Sequence, residues 1–276
     1  MEVQQQRWRA QSLMLRALRT GDLASLVALL DSGLDCDQTF SIGGWSRPAL
    51  CIAVEQGHTG LVAELCRRRC SVSVLDQAGL SPLQLAASLG MTRMVEILLE
   101  NGCEVDRQDN EGRTSLMYAA SLGSVEIVET LLRSRARRDL TDLRGNTALL
   151  FHCSSLQVNT SLLDILAGPG LIDLPNRDGW TPLLVLVSAA QPRHNKQGAV
   201  RCLLDRGADV NMRTFQGPVL HTALANRNWE LCRLLVRAGA VVTTESLYLA
   251  LLSGNTHMAN ILLAAGAPCS LNTAQR

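Results

Sequence analysis

The chain has 276 residues, 26 basic and 25 acidic, for a formal net charge of +1, so no overall charge draws it to nucleic acid or to an anionic membrane. Its composition is 47% hydrophobic but only 3% aromatic, so a core must be built from Leu, Val, Ile and Ala, which suits small packed helices. No apolar run approaches the roughly 18 residues of a membrane span, and residues 1–9 lack the apolar stretch of a secretion signal.

Residues 1–12 read as a polar N-terminal segment. A first helical unit is expected over 13–37, where Leu15-Arg16-Ala17-Leu18 leads to Leu29-Leu30-Asp31-Ser32-Gly33, and its polar opening suits an N-terminal cap. The second, 38–75, runs through Phe40, Ile42 and Trp45 to Leu65-Cys66 and Arg69. The 36 residues from Gly33 to Arg69 lengthen the finger that holds Trp45. In the third, 76–108, Ser81-Pro82-Leu83-Gln84 opens one helix and Leu98-Leu99 closes another before Gly102. The fourth, 109–141, repeats the plan with Thr114-Ser115-Leu116-Met117 and Leu131-Leu132 before Arg135. Arg69, Gly102 and Arg135 are 33 residues apart, so one structural unit is being copied.

The fifth unit, 142–175, starts with Thr147-Ala148-Leu149-Leu150 but has Ser154-Ser155-Leu156-Gln157 where a turn glycine is expected. The 35 residues from Arg135 to Gly170 imply an insertion of two. The sixth, 176–213, starts with Thr181-Pro182-Leu183-Leu184 and carries a polar loop, Gln191 to Lys196, between its helices before Leu203-Leu204 and Gly207. A seventh follows over 214–243 to Gly239, and an eighth over 244–270, from Leu247-Tyr248-Leu249-Ala250 to Gly266. The 27 residues between those glycines cut the last finger short, as suits a C-terminal cap, and 271–276 is a tail.

Physical chemistry accounts for these residue types. Ser or Thr before a helix accepts a bond from an otherwise orphaned backbone N–H, and Pro at the first helical position gives up no useful donor. Leu83, Leu85, Ala86 and Ala87 make a narrow apolar face that lets neighbouring helices approach, and Gly90 ends that helix. Met94, Val95, Ile97, Leu98 and Leu99 then recur at helical spacing up to Gly102. One such unit cannot bury both faces, but a stack can, so stability becomes a sum of nearest-neighbour interfaces.

The period, the worn Thr-Pro-Leu-His motifs and the turn glycines Gly79, Gly90, Gly102, Gly179 and Gly207 resemble ankyrin repeats, most closely over 76–105 and 176–211. The resemblance implies an all-α repeat, a solenoid of stacked helix-turn-helix units with short β-hairpin loops. It also implies a non-enzymatic scaffold or adaptor, a monomer by itself, that binds another protein on its concave face and fingers, in cytoplasm or nucleus, without cofactor or metal. In repeat content the chain is similar to ankyrin-repeat substrate adaptors of ubiquitin ligases, whose C-terminal recruiting box is missing by Arg276. A regulatory subunit of an enzyme is the other class considered, and it would need a pocket of convergent polar groups.

No phosphate-binding loop, HExxH or GxSxG element occurs. His221 and His58 are expected to bond neighbouring turns. The nine cysteines form no CxxC pair or zinc-type spacing; Cys70 and Cys103 stand where the family has Ala, while Cys153, Cys202 and Cys232 face the core as small hydrophobes. Arg67-Arg68-Arg69 and Arg133, Arg135, Arg137 and Arg138 form two basic clusters that suit helix C-termini or an acidic partner. Partner-binding candidates are the apolar residues at places normally exposed: Leu89 and Leu122 at the ends of inner helices, and Trp45, Leu80, Leu143, Trp180 and Phe215 on or beside fingers. Trp180 is the first choice among them as an interface anchor. Asn211, in Asp209-Val210-Asn211, is similar to the residue hydroxylated in other ankyrin repeats, and its plainer reading is a hairpin Asn that bonds its own turn.

Overall fold

The computed structural model describes residues 2–188, 196–212 and 217–268. They form two compact units, Met1–Leu143 and Arg144–Arg276. In the first, helices α1 (Glu2–Thr20), α2 (Leu23–Asp31), α3 (Ala49–Glu55), α4 (Thr59–Arg67), α5 (Pro82–Ser88), α6 (Thr92–Glu100), α7 (Ser115–Leu122) and α8 (Val125–Arg133) come as antiparallel pairs. The first helices of the pairs stack as α1, α3, α5 and α7 and the second as α2, α4, α6 and α8. The second unit repeats the plan with α9 (Ala148–Ser154), α10 (Thr160–Leu166), α11 (Pro182–Ser188), α12 (Gln197–Asp205), α13 (Val219–Ala225), α14 (Trp229–Arg237), α15 (Thr244–Leu252) and α16 (Thr256–Ala264). No described helix is long and apolar enough to cross a membrane.

Buried polar caps start the helices. Ser81 accepts a bond from the Gln84 amide while the Gln84 side chain accepts one from the Ser81 amide, a closed capping box with Pro82 at the first helical position. Thr114, Thr147 and Thr181 accept in the same way from Met117, Leu150 and Leu184. All four caps are at most 3% exposed, so replacing one would leave a buried amide without its partner. Gln84 does a second job: its Nε2 donates to the carbonyls of Arg107 and Arg113, at 2.9 and 2.7 Å, and ties α5 to the following finger.

The expected polar segment over 1–12 lies within the first helix, because α1 begins at Glu2 and runs straight through Leu13. Strand pairing occurs among the described residues in one finger, where β1 (Thr39–Ile42) pairs antiparallel with β2 (Trp45–Pro48) around Gly43 and Gly44. Both glycines have positive φ, 59° and 84°, the demand of a two-residue hairpin turn. Fingers of the regular units are held instead by a side chain. Asp76 Oδ1 accepts from the amides of Ala78 and Leu80, Asp109 Oδ1 from Glu111 and Arg113, and Asn176 Oδ1 from Asp178 and Trp180.

Successive fingers touch backbone to backbone within each unit. The Leu143 amide donates to Glu111 O and the Arg177 amide to Arg144 O, both at 2.9 Å. A Cβ on Gly112 would stand 3.0 Å from Leu143 N, and one on Gly145 the same distance from Arg177 N, so these contacts need glycine. Below the fingers a second ladder runs from turn to turn. Asp37, Asp106, Asp173 and Asn211 accept from the backbone amides of Ser71, Arg137, Asp209 and Val241 at 2.7–3.0 Å.

Candidate functional site

His58 and His221 serve the frame. His58 Nε2 lies 3.1 Å from Arg19 O, and its ring packs so tightly on Gly21 that a Cβ there would come within 2.8 Å. His221 Nε2 lies 2.9 Å from Ser246 Oγ and 3.1 Å from Thr243 Oγ1, with Nδ1 3.7 Å from Glu245. On paper that is a serine, a histidine and an acid in line. Ser246, however, is fully buried and committed to the capping box of α15 with Thr243, so His221 locks the start of the next inner helix and a substrate has no approach to the hydroxyl.

Ion pairs tie part of the two basic clusters to acids. Glu64 receives two bonds from Arg67 and one from Arg68, and Arg68 also reaches Asp31 at 2.6 Å. Those arginine bonds hold the Glu64 carboxyl far below the usual carboxylate range, at about 2. Arg137 pairs with Asp139 at 2.8 Å. Arg67, Arg68 and Arg137 are therefore tied to nearby acids, while Arg133 donates to Thr130 Oγ1 at 2.9 Å. Arg69 and Arg135 take positive φ, 62° and 68°, where Gly33, Gly102 and Gly239 stand in other units, an uncommon conformation for any residue with a Cβ.

Of the candidate contact residues, Trp45, Leu89, Leu122 and Leu143 are exposed, each near half of its surface. Leu80 and Trp180 are half-buried, and Phe215 lies outside the described residues. Within the first unit Leu122 lies over the turn that follows Leu89, its Cδ2 3.0 Å from where a Cβ on Gly90 would be. Leu89 and Leu122 therefore form one apolar ridge at the ends of α5 and α7, with Trp45 and Leu143 on fingers of the same unit. The Trp180 amide donates to Asn176 Oδ1 at 2.8 Å and its carbonyl receives the Asn176 amide at 3.0 Å, so its backbone is part of the finger's frame.

Asn211 behaves otherwise than a hairpin Asn closing its own turn. Its Nδ2 donates to Gly239 O at 2.9 Å and its Oδ1 accepts from Val241, so the amide bridges to the next turn. Among the cysteines, Cys70, Cys153 and Cys232 are buried, while Cys103 and Cys202 are half-buried. Cys202, expected on a core face, instead bonds Asp164 at 3.1 Å near the surface. Burial pushes the Cys153 and Cys232 thiols up to about 12, which makes them inert at neutral pH.

Sequence reasoning missed two features. Tyr248, Leu251 and Leu252 on α15 are more than half exposed. The other is Lys196, buried, with Nζ 3.2 Å from the carbonyls of Cys153 and Ser155.

Comparison with known protein families matches ankyrin repeats three times, over residues 13–109, 50–142 and 116–214. No curated protein matches the chain.

Proposed function

Because the chain belongs to the ankyrin-repeat family, we propose that it serves as a scaffold or adaptor that seats a partner protein on the fingers and inner-helix ends of its first unit. Trp45, Leu80, Leu89, Leu122 and Leu143 are the contact residues in this reading, with Trp180 and Phe215 as candidates in the second unit. A protein-binding role is what the family implies; the location is the further step. The ridge of Leu89 and Leu122 supports it: both leucines keep about half their surface in water, although their inner helices are otherwise packed on neighbours. Apolar side chains recurring on one face mark an interaction surface better than scattered ones.

The test compares Leu89→Arg and Leu122→Arg with Ala28→Arg, an exposed position on α2. Partners captured by the wild-type protein are quantified by mass spectrometry on each variant. At exposed sites the melting temperature should hold, since surface changes cost within about 0.5 kcal/mol. Loss of an interface anchor costs on the order of 2 kcal/mol in binding, roughly thirty-fold in affinity. Stable variants that keep every wild-type partner would move the site off this ridge, and variants that melt many degrees lower would make both leucines packing residues.

A further inference from the structure

The first two turns of the array bring together side chains that the sequence keeps 34 residues apart. Cys36 Sγ, Cys70 Sγ and a carboxylate oxygen of Asp37 all lie within 4.8 Å of one another. The repeat geometry explains why. Cys103 is the first residue after Gly102, and its Sγ reaches Val72 O, the third residue after Arg69, at 3.5 Å. At the junction before it the same two places are Cys70, first after Arg69, and Cys36, third after Gly33. Both partners of one inter-repeat contact are thus cysteine here. Asp37 occupies the ladder position and is held by the Ser71 amide, 2.7 Å from its Oδ1, which fixes the carboxylate beside both sulfurs and leaves its second oxygen for another ligand.

We propose that Cys36, Asp37 and Cys70 form a binding site for a soft divalent cation of the zinc class, with water in the fourth position. Two sulfurs and a carboxylate oxygen are a ligand set that zinc takes. With Zn–S bonds of about 2.3 Å, tetrahedral geometry places two sulfurs roughly 3.8 Å apart, so side-chain movements of about 1 Å or less close the site from the present spacing. Access is open, because Asp37 is exposed and Cys36 half-exposed while Cys70 forms the buried back wall. Binding releases two thiol protons to solvent and forms two metal–thiolate bonds and one metal–carboxylate bond, with no electron transfer. The three anionic ligands exceed the dication by one charge, and the exposed Arg69, which lines the same groove as Cys70 and Cys66, partly offsets it.

The carboxylate favours a metal over a disulfide, since it adds a ligand and attraction for a dication and has no part in a sulfur–sulfur bond. A filled site would clip the end of the first helix pair to the end of the second.

Cobalt(II) is the probe, titrated into the full chain under a non-thiol reductant. The expected result is one cobalt per chain, with thiolate-to-cobalt charge-transfer bands and the visible bands of a tetrahedral ion, displaced by zinc. Cys36→Ser and Cys70→Ser should each weaken binding on the order of ten-fold or more and halve the charge-transfer intensity, and Asp37→Asn should weaken binding while keeping that intensity. Cys103→Ser, the thiol of the next junction, should change nothing. Zinc should raise the melting temperature of the wild type but not of Cys36→Ser, whose position is half-exposed and safe for folding. The proposal is overturned if no stoichiometric cobalt binds, if Cys36→Ser binds as the wild type does, or if mild oxidation joins Cys36 to Cys70 in a chain without metal affinity.

Discussion

Lys196→Met tests how the second unit copes with a missing turn glycine. The inner helices α5 and α7 are followed by Gly90 and Gly123 at φ 74° and 81°, the left-handed turn that satisfies terminal carbonyls. The inner helix α9 ends instead on Ser155 in extended conformation, φ −66° and ψ 158°. Lys196 takes the place of that turn, its ammonium 3.2 Å from both Cys153 O and Ser155 O and the residue 7% exposed. Two bonds from a charged donor contribute roughly 1.5–3 kcal/mol each, less the cost of burying the ammonium, which pulls the Lys196 pKa below its ordinary value. Methionine keeps the length and apolar stem but leaves two carbonyls without a donor, so a net loss of about 2 kcal/mol is expected. Urea unfolding followed by circular dichroism measures it, and amide exchange in residues 151–163 localises it; Lys196→Arg should restore part of the loss. A change under about 0.5 kcal/mol in Lys196→Met would mean that water satisfies these carbonyls and that the buried lysine does not hold the turn.

Even with Lys196 in place, amides of α9 and α10 should exchange at lower opening free energy than those of α5 to α8, since an irregular turn and an inserted loop weaken the interfaces there; uniform protection would refute this. Gly112→Ala should cost about 2 kcal/mol in chemical unfolding, from a left-handed φ of 77° and a backbone contact at 3.0 Å. Gly102→Ala, with φ 83° but nothing within 4 Å, should cost only about 1 kcal/mol, and equal losses would show that the finger contact yields. Glu64→Gln tests the arginine cluster by pH. Because the folded carboxyl sits near 2, below its ordinary value of 4.5, its contribution is complete above about pH 5 and fades as pH falls toward 2. Melting of wild type and variant should therefore differ, by roughly 1 kcal/mol or less, at pH 7 and converge near pH 2, with a constant gap counting against the pairing.

Helix starts were legible because a local rule sets them: a Ser or Thr with its amide partner three residues on needs no tertiary information. The finger turns were equally local and could have been read. Asp76 and Gly79, Asp109 and Gly112, and Asn176 and Gly179 share one spacing, and each acid or amide accepts the turn's own amides. What could not be read without superposing units were the contacts between turns, such as Asn211 with Gly239 and Val241, or Cys36 with Cys70. Their partners are fixed by the stacking translation and not by neighbours in the chain. Lys196 was less accessible still, since after an insertion the sequence gives no register for where the chain returns.

Exposed apolar surface in this protein has two separable origins. An inner helix within a stack has a neighbour on each side; α15 packs against α13, and no further described helix packs on it where Tyr248, Leu251 and Leu252 are exposed. That account fails for Leu89. It caps α5, which packs against α3 on one side and α7 on the other, and it still keeps about half its surface in water. With a neighbour on each side, about half of the leucine is covered by the array and the rest is not. The exposed half of Leu89 is the surface that the proposed contact with a partner would use. The two origins predict different behaviour in the partner comparison: Leu252→Arg should leave capture of the partners unchanged while Leu89→Arg abolishes it, and the reverse result would place the binding surface on α15.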